Sequence, residues 1–203
     1  MQESAVPTDG RAARAARTRD AIVEATVALV EQGDLRPTAP RIAAKAGVSV
    51  RSVFQHFDDL SSLYTAVVHR VVERLATLLV PIDVGHGLDE RLAAFARHRS
   101  ALLEAVTPFR RAAAVHGPFA PEIRGATAEG TAFLRHEVEV AFAPEIARVD
   151  ETDRRELVDA LAAAASWPVW ESLRTEAANS PAQAQAVLVR MLRSLLAGAA
   201  GGP

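Results

Sequence analysis

Apolar positions recur along this chain at spacings of three and four rather than two, and that period predicts helices throughout. The clearest stripe opens at Leu60 and continues through Leu63, Tyr64, Val67, Val68, Val71, Val72, Leu75, Leu78 and Leu79. It predicts roughly 20 residues of helix, about 30 Å long. Ile22, Ala25, Thr26, Leu29 and Val30 mark an earlier helix, beginning at about Ala12 or Thr18, ending at Gln32 and C-capped by Gly33. Between these two lie a pair of short helices. Thr38 is a suitable N-cap for Ala39–Ala46, with Pro40 in its first turn, and Gly47 ends that helix. Ser49 then caps Val50–His56, and Asp59 caps the long helix after a turn at Phe57-Asp58-Asp59.

A linker is predicted at Pro81–Gly87. Beyond it the pattern predicts helices over Leu88–Val106, Phe109–His116, Pro121–Ala143, Thr152–Glu176 and Pro181–Leu196, with a kink at Pro168 in the fourth of these. No alternation of period two is long enough for a strand, so the chain reads as all-α.

Composition narrows the function classes. About half of the 203 residues are apolar, with Ala the commonest, which suits one large domain or a small domain joined to a larger one. The absence of cysteine excludes disulfides, thiolate metal sites and cysteine nucleophiles. The first 20 residues hold no apolar signal segment and no run would span a bilayer, so a soluble, cytoplasmic protein without membrane contact is expected. Six scattered histidines show no metal-ligand spacing, and no glycine-rich phosphate loop appears; no metal and no cofactor are expected.

The formal net charge is −2, but it is unevenly spread. From Arg11 to Phe57 eight basic residues face four acidic ones, whereas from Pro81 onward 16 acidic residues face 13 basic ones. The positive excess therefore lies in the first quarter, where it can meet a phosphate backbone, or simply form a solvated arginine-rich tail.

Two helices under ten residues each are too short to persist alone. They must pack on one another and on the first helix through Ile42, Ala43, Ala46, Val48 and Val53, with Gly47 supplying a left-handed backbone angle at the corner. That arrangement is a helix-turn-helix over Thr38–Phe57. Residues 18–75 resemble the N-terminal domain of the tetracycline-repressor (TetR) family of regulators. Ile42-Ala43-Ala44-Lys45-Ala46-Gly47-Val48-Ser49 is similar to the family's IA..AGVS turn, and Val53-Phe54-Gln55-His56-Phe57 is similar to the end of its recognition helix. Leu63 falls where the following helix usually carries Leu. The family usually has Lys near the start of that helix; this chain has Leu60, beside Asp58 and Asp59.

The resemblance implies a DNA-binding transcriptional regulator, a homodimeric and ligand-responsive repressor reading a palindromic operator in double-stranded DNA. It implies a flexible basic arm over 1–17, a helix-turn-helix domain over 18–62 and a connecting helix over 63–80. A ligand-binding and dimerisation domain would follow over 81–198, and a disordered tail over 199–203. Thr38 and Arg41 would bind phosphate, while Val50, Arg51 and Ser52 would face base edges in the major groove. Arg51 is the one of these able to make a bidentate contact, preferentially to guanine. Gln55 would meet phosphate or adenine, His56 phosphate, and Phe54 and Phe57 the domain core. Arg11, Arg14 and Arg17 would follow the backbone or enter the minor groove.

In the remainder, an unknown small-molecule effector would meet some of Phe95, His98, Phe109, His116, Phe133, His136, Trp167 and Trp170, with Arg110 and Glu137 as further polar groups; most of the aromatics, Phe119 and Phe142 included, are expected to fill a helical core. The last two helices, with Leu157, Leu161, Ala164, Ala165, Val187, Leu188, Met191 and Leu195, would form the homodimer interface. Two other classes remain open: an interaction module that has lost DNA binding, and an all-α enzyme.

Overall fold

A computed structural model describes residues 8–116 and 120–200. Among them the chain forms ten α-helices and no strand: α1 Thr8–Glu31, α2 Ala39–Ala46, α3 Val50–His56, α4 Leu60–Ala76, α5 Leu88–His116, α6 Pro121–Ala141, α7 Ala143–Ile146, α8 Glu151–Ala164, α9 Trp167–Thr175 and α10 Pro181–Ala200. The all-α expectation holds. The chain divides into two compact units, one of residues 1–74 and 108–124, the other of 75–107 and 125–203. No helix among the described residues is long and apolar enough to cross a membrane.

In the N-terminal unit the inward faces of three helices share a core of Ile22, Val27, Val30, Ile42, Ala43, Val53 and Phe57, joined from α4 by Leu63, Val67 and Val71. Thr26 sits in this core because its hydroxyl donates to the Ile22 carbonyl at 2.9 Å, leaving no unpaired polar group. Gly33 takes φ 91° at the end of α1, as its place at the C-cap requires. Asp59 caps α4, its carboxylate accepting from the Ser62 N–H at 2.8 Å. The first helix begins at Thr8, so residues 8–17 are not the flexible arm expected of them. Alanine and arginine alternate there after Gly10, and both are strong helix formers. Residues 1–7 and 201–203, expected as disordered ends, lie outside the described residues.

The C-terminal unit is built on a deeper core. Leu92, Phe95 and Ala96 of α5, Val138, Ala141 and Phe142 from and just after α6, Leu161 of α8, and Leu188 and Leu192 of α10 are all sealed from solvent. Each such leucine is worth about 1.5–3 kcal/mol of burial. Phe95 meets Phe142 edge to face, ring centroids 5.1 Å apart. Of the residues expected to face a dimer partner, Leu157, Leu161, Ala164, Ala165 and Leu188 are instead buried in this core. Val187, Met191 and Leu195, on the next stripe of α10, are half-buried.

Several predicted boundaries shift. α5 runs unbroken through Pro108, where a break was expected. Proline withdraws only its own amide, and the Thr107 hydroxyl donates to the Leu103 carbonyl at 2.6 Å on the same turn. α4 stops at Ala76 rather than Leu79, the chain closing into tighter turns (Leu78 N–H to Leu75 O, Leu79 N–H to Ala76 O) before Val80, which Pro81 holds out of the helical region. The single kinked helix expected over Thr152–Glu176 is two helices. Ser166 is extended (φ −84°, ψ 159°) and Pro168 falls in the first turn of α9, where a missing N–H costs nothing. Pro144 likewise opens α7 after α6 has ended at Ala141. α10 reaches Ala200, past the expected end at Leu196.

Candidate nucleic-acid interface

The corner between α2 and α3 is set by local chemistry. Gly47 has φ 68° and ψ 31°, a left-handed conformation that closes α2 and that a side chain would disfavour. The Val48 N–H bonds the Ala43 carbonyl at 3.0 Å, and half-buried Val48 fills the bend. Ser49 is extended, and its hydroxyl accepts from the Ser52 N–H at 3.1 Å, capping α3. With Val53 and the adjoining Phe57 buried, α3 has one fixed inner face. Its opposite face carries Val50, Phe54, Arg51 and Gln55, all exposed, with Ser52 and His56 half-buried at the edges.

Each helix-turn-helix residue singled out above is at or near the surface of this unit. Thr38 is an N-cap by backbone angle (φ −89°, ψ 154°), but its side chain makes no capping bond and stands exposed. Arg41 is exposed and paired with Asp34 at 2.8 Å. Arg17 is exposed on α1, as are Arg11 and Arg14, and none of the three has an ion pair among the described residues. The acidic groups of α1 are engaged elsewhere. Arg70 of α4 pairs with Asp20 at 3.2 Å and with Glu24, and Arg74 pairs with Glu24 and with Glu31 at 3.5 Å. Hydrogen bonding to Glu24 raises the Arg70 guanidinium above its ordinary value. Asp20, Glu24 and Glu31 of α1 are thus tied to α4, while Arg11, Arg14, Arg17 and Arg51 stand exposed.

Two further side chains shape this region, and Arg19 carries no motif signal. Phe54, expected in the core, is 48% exposed, because the turn between Val53 and Phe57 places it about 100° round the helix from Val53. Arg19 lies over the Phe57 ring at 4.8 Å and so fastens α1 to the end of α3.

The residues proposed for an effector scatter. In the C-terminal unit Phe95 and His98 come together with Arg99 and Glu137. His98 Nδ1 is 3.8 Å from one Glu137 oxygen, and Arg99 donates to the other at 3.2 Å, to the Ala165 carbonyl at 2.9 Å and to the Leu134 carbonyl at 2.9 Å. Arg99 also covers the Phe95 ring at 4.6 Å. Burial lowers this guanidinium to about 10, the charge of Glu137 opposing the shift only in part. His98 Nε2 meets the Leu78 carbonyl at 2.9 Å. Trp170 is buried and donates to Glu104 at 2.8 Å, which also takes Arg174 at 2.7 Å; Trp167 donates to Thr107 at 3.2 Å. Phe133 and His136 stand exposed on α6. Phe109 and Arg110 are half-buried in the segment that belongs with the N-terminal unit, and burial lowers Arg110. The side chain of His116 and the whole of Phe119 lie outside the described residues. Arg99 was legible after all: it falls on the stripe Leu92, Phe95, Ala96, Leu103 that α5 buries. Among the described residues no group of three or more acidic or histidine side chains is placed to hold a metal.

Within the N-terminal unit α1, α2 and α3 form a capped helix-turn-helix, and the other unit is a larger helical one. Residues 22–67 match the family model described as bacterial regulatory proteins, tetR family. The fold is shared with three solved proteins. One is a transcriptional regulator from Rhodococcus sp. Rha1 (17% identity, TM-score 0.62, 93% of this chain and 99% of that one). Another is described as a TetR-family transcriptional regulator from Mesorhizobium loti MAFF303099 (22%, 0.65, 91% and 98%). The third is described as a transcriptional regulator from Pseudomonas aeruginosa PAO1 (25%, 0.60, 89% and 91%). No curated protein matches the chain significantly. Residues 22–67 thus carry the N-terminal domain of the tetR family of bacterial regulatory proteins, on a chain whose fold is that of solved transcriptional regulators.

Proposed function

We propose that this regulator is a ligand-responsive repressor that binds a palindromic operator as a homodimer in the cytoplasm. The observation that carries the reading is the outer face of α3, where Arg51 and Gln55 stand exposed on a helix whose inner face is locked by Val53 and Phe57. Arg51 would take guanine O6 and N7, and Gln55 an adenine edge or a phosphate. Val50 and Ser52 would lie at the base edges beside them, and Thr38, Arg41 and His56 would meet phosphates. The free hydroxyl of Thr38 favours that role. Asp59, beside the position where the family has lysine, is occupied as a helix cap, which blunts its repulsion of DNA. Because α1 is helical from Thr8, Arg11, Arg14 and Arg17 ride on a rod and would track phosphates rather than thread the minor groove.

A two-fold operator requires a two-fold protein, with half-sites about 35 Å apart. α10 supplies the dimer face in this reading, through the stripe Val187, Met191 and Leu195. An effector held in the C-terminal unit near His98 and Trp167 would act by altering the spacing of the recognition helices. No catalytic step belongs to this reading.

The test is titration of the full chain against duplexes selected from a randomised pool, at roughly 50 and roughly 200 mM salt. Six or more phosphate contacts predict an affinity loss on the order of a thousandfold between the two, with two protomers per duplex. The variant R11A/R14A/R17A should bind the same sequence with a shallower salt slope. Failure to select any sequence would overturn the proposal.

A further inference from the structure

We infer that Val50 and Phe54 read thymine methyl groups, so that each operator half-site carries thymine beside the guanine taken by Arg51. The inference rests on the DNA-reading proposal above and specifies its chemistry. Val50 is 39% and Phe54 48% exposed, and both belong to a helix of seven residues. Four positions apart, they are neighbours on one face. Around the helix the order is Val50, Phe54, Arg51, Gln55, so the exposed face has an apolar half and a hydrogen-bonding half at about 100° per residue.

Phenylalanine has no donor and cannot grip a phosphate, so whatever covers Phe54 in the complex must itself be apolar. In the major groove of B-DNA the one apolar group presented by the bases is the thymine C5-methyl. The surroundings fit that partner. Arg51 adjoins the pair on the same face of α3, Lys45 and Arg36 are exposed on the same unit, and Asp20, Glu24 and Glu31 are held by Arg70 and Arg74. Val50 and Phe54 are separated by about 6 Å along the helix, close to two base-pair steps. The methyls they meet should lie within two or three base pairs of one another.

Deoxyuridine differs from thymidine by that methyl alone, which makes the test specific. In the duplex selected by the full chain, each thymine is replaced singly by uracil. One or two positions per half-site should then lose about fourfold in affinity, the worth of one buried methyl. The same replacements should have no effect on Phe54→Ala or Val50→Ala, whichever side chain reaches that base. Both residues lie outside the core, and either variant alone gives the comparison should the other fail to fold.

Several outcomes would overturn the inference: no uracil position that matters, uracil effects undiminished in both variants, or a selected half-site without thymine. So would a fall in oligomeric state for Phe54→Ala with thymine dependence intact, since Phe54 would then face a second copy of the chain. If no sequence is selected at all, the DNA-reading proposal fails and takes this one with it.

Discussion

The C-terminal unit, beside its surface arginines, buries two, and the N-terminal unit buries none among the described residues. In the N-terminal unit Arg11, Arg14, Arg17 and Arg51 are exposed, and those that pair, Arg41, Arg70 and Arg74, do so at the surface. In the C-terminal unit Arg91 and Arg99 are sealed inside, each bound to a carboxylate and to backbone carbonyls. An exposed guanidinium keeps its hydration and its reach, so it serves recognition and adds little to stability. A buried one has lost water and must be satisfied by the protein, so it fixes the positions of the groups it touches. The first unit is arranged to meet an external anion, the second to hold its own helices in register.

Arg99 gives the largest test of that contrast. Its contacts join α5 to α6 through Leu134 and Glu137 and take the Ala165 carbonyl at the break between α8 and α9. Arg99→Met leaves the largely buried Glu137 without its partner and should cost about 3–5 kcal/mol, measured by denaturant unfolding. Adding Glu137→Leu should return a good part of that loss, because the stranded charge is removed. A cost below about 1 kcal/mol for Arg99→Met would place Arg99 with the surface arginines and end the comparison.

Arg51 is the counterpart in the other unit. Arg51→Ala should leave thermal stability within about 0.5 kcal/mol of the parent, since the side chain touches nothing in the core. Against the selected operator it should cost about 1–3 kcal/mol at one base pair per half-site and leave binding to unrelated duplex little changed. Uniform weakening on every sequence would reassign Arg51 to a phosphate.

The same contrast explains what could be read in the sequence. The boundaries of α2 and α3 were legible to the residue because Thr38, Pro40, Gly47 and Ser49 act locally, through backbone angles and caps that need no distant partner. Arg51 and Gln55 were assigned outward-facing roles through the family resemblance, and both stand exposed. Phe54 was not, because hydrophobicity says how much a side chain gains from burial but not which way a seven-residue helix turns it. The break at Ser166 has a tertiary partner, Arg99 at the Ala165 carbonyl, whereas α5 continues through Pro108, and a proline alone cannot distinguish the two outcomes. Of the residues assigned to a dimer face, Leu157, Leu161, Ala164 and Ala165 at α8 and Leu188 of α10 are core; α10 is apolar on two adjacent stripes, and helical period does not say which stripe stays inside.

The smallest expected effect lies in acid solution, at Arg91 and Glu145. Arg91 donates to the two carboxylate oxygens at 2.9 and 2.5 Å and to the Ala141 carbonyl at 2.6 Å, with both side chains largely buried. Burial alone would raise the Glu145 carboxyl, but the hydrogen bonds and charge of Arg91 outweigh it and hold the group below its ordinary value of 4.5. The unfolded chain therefore binds more protons than the native one just below that pH, and stability must fall as the solution is acidified. The contribution of the pair is fully present above about pH 4.5 and disappears as pH drops through the depressed native value. Glu145→Gln removes the titrating group, so the gap in Tm between parent and variant should be widest near neutrality and narrow steadily below about pH 4.5. It should also persist in about 1 M salt, where screening reaches within roughly 3 Å and the half-buried Arg70–Glu24 pair of the other unit is weakened more. A gap that is constant across the acid range, or one that salt abolishes, would show that the C-terminal arginines are no more sheltered than those of the DNA-binding unit.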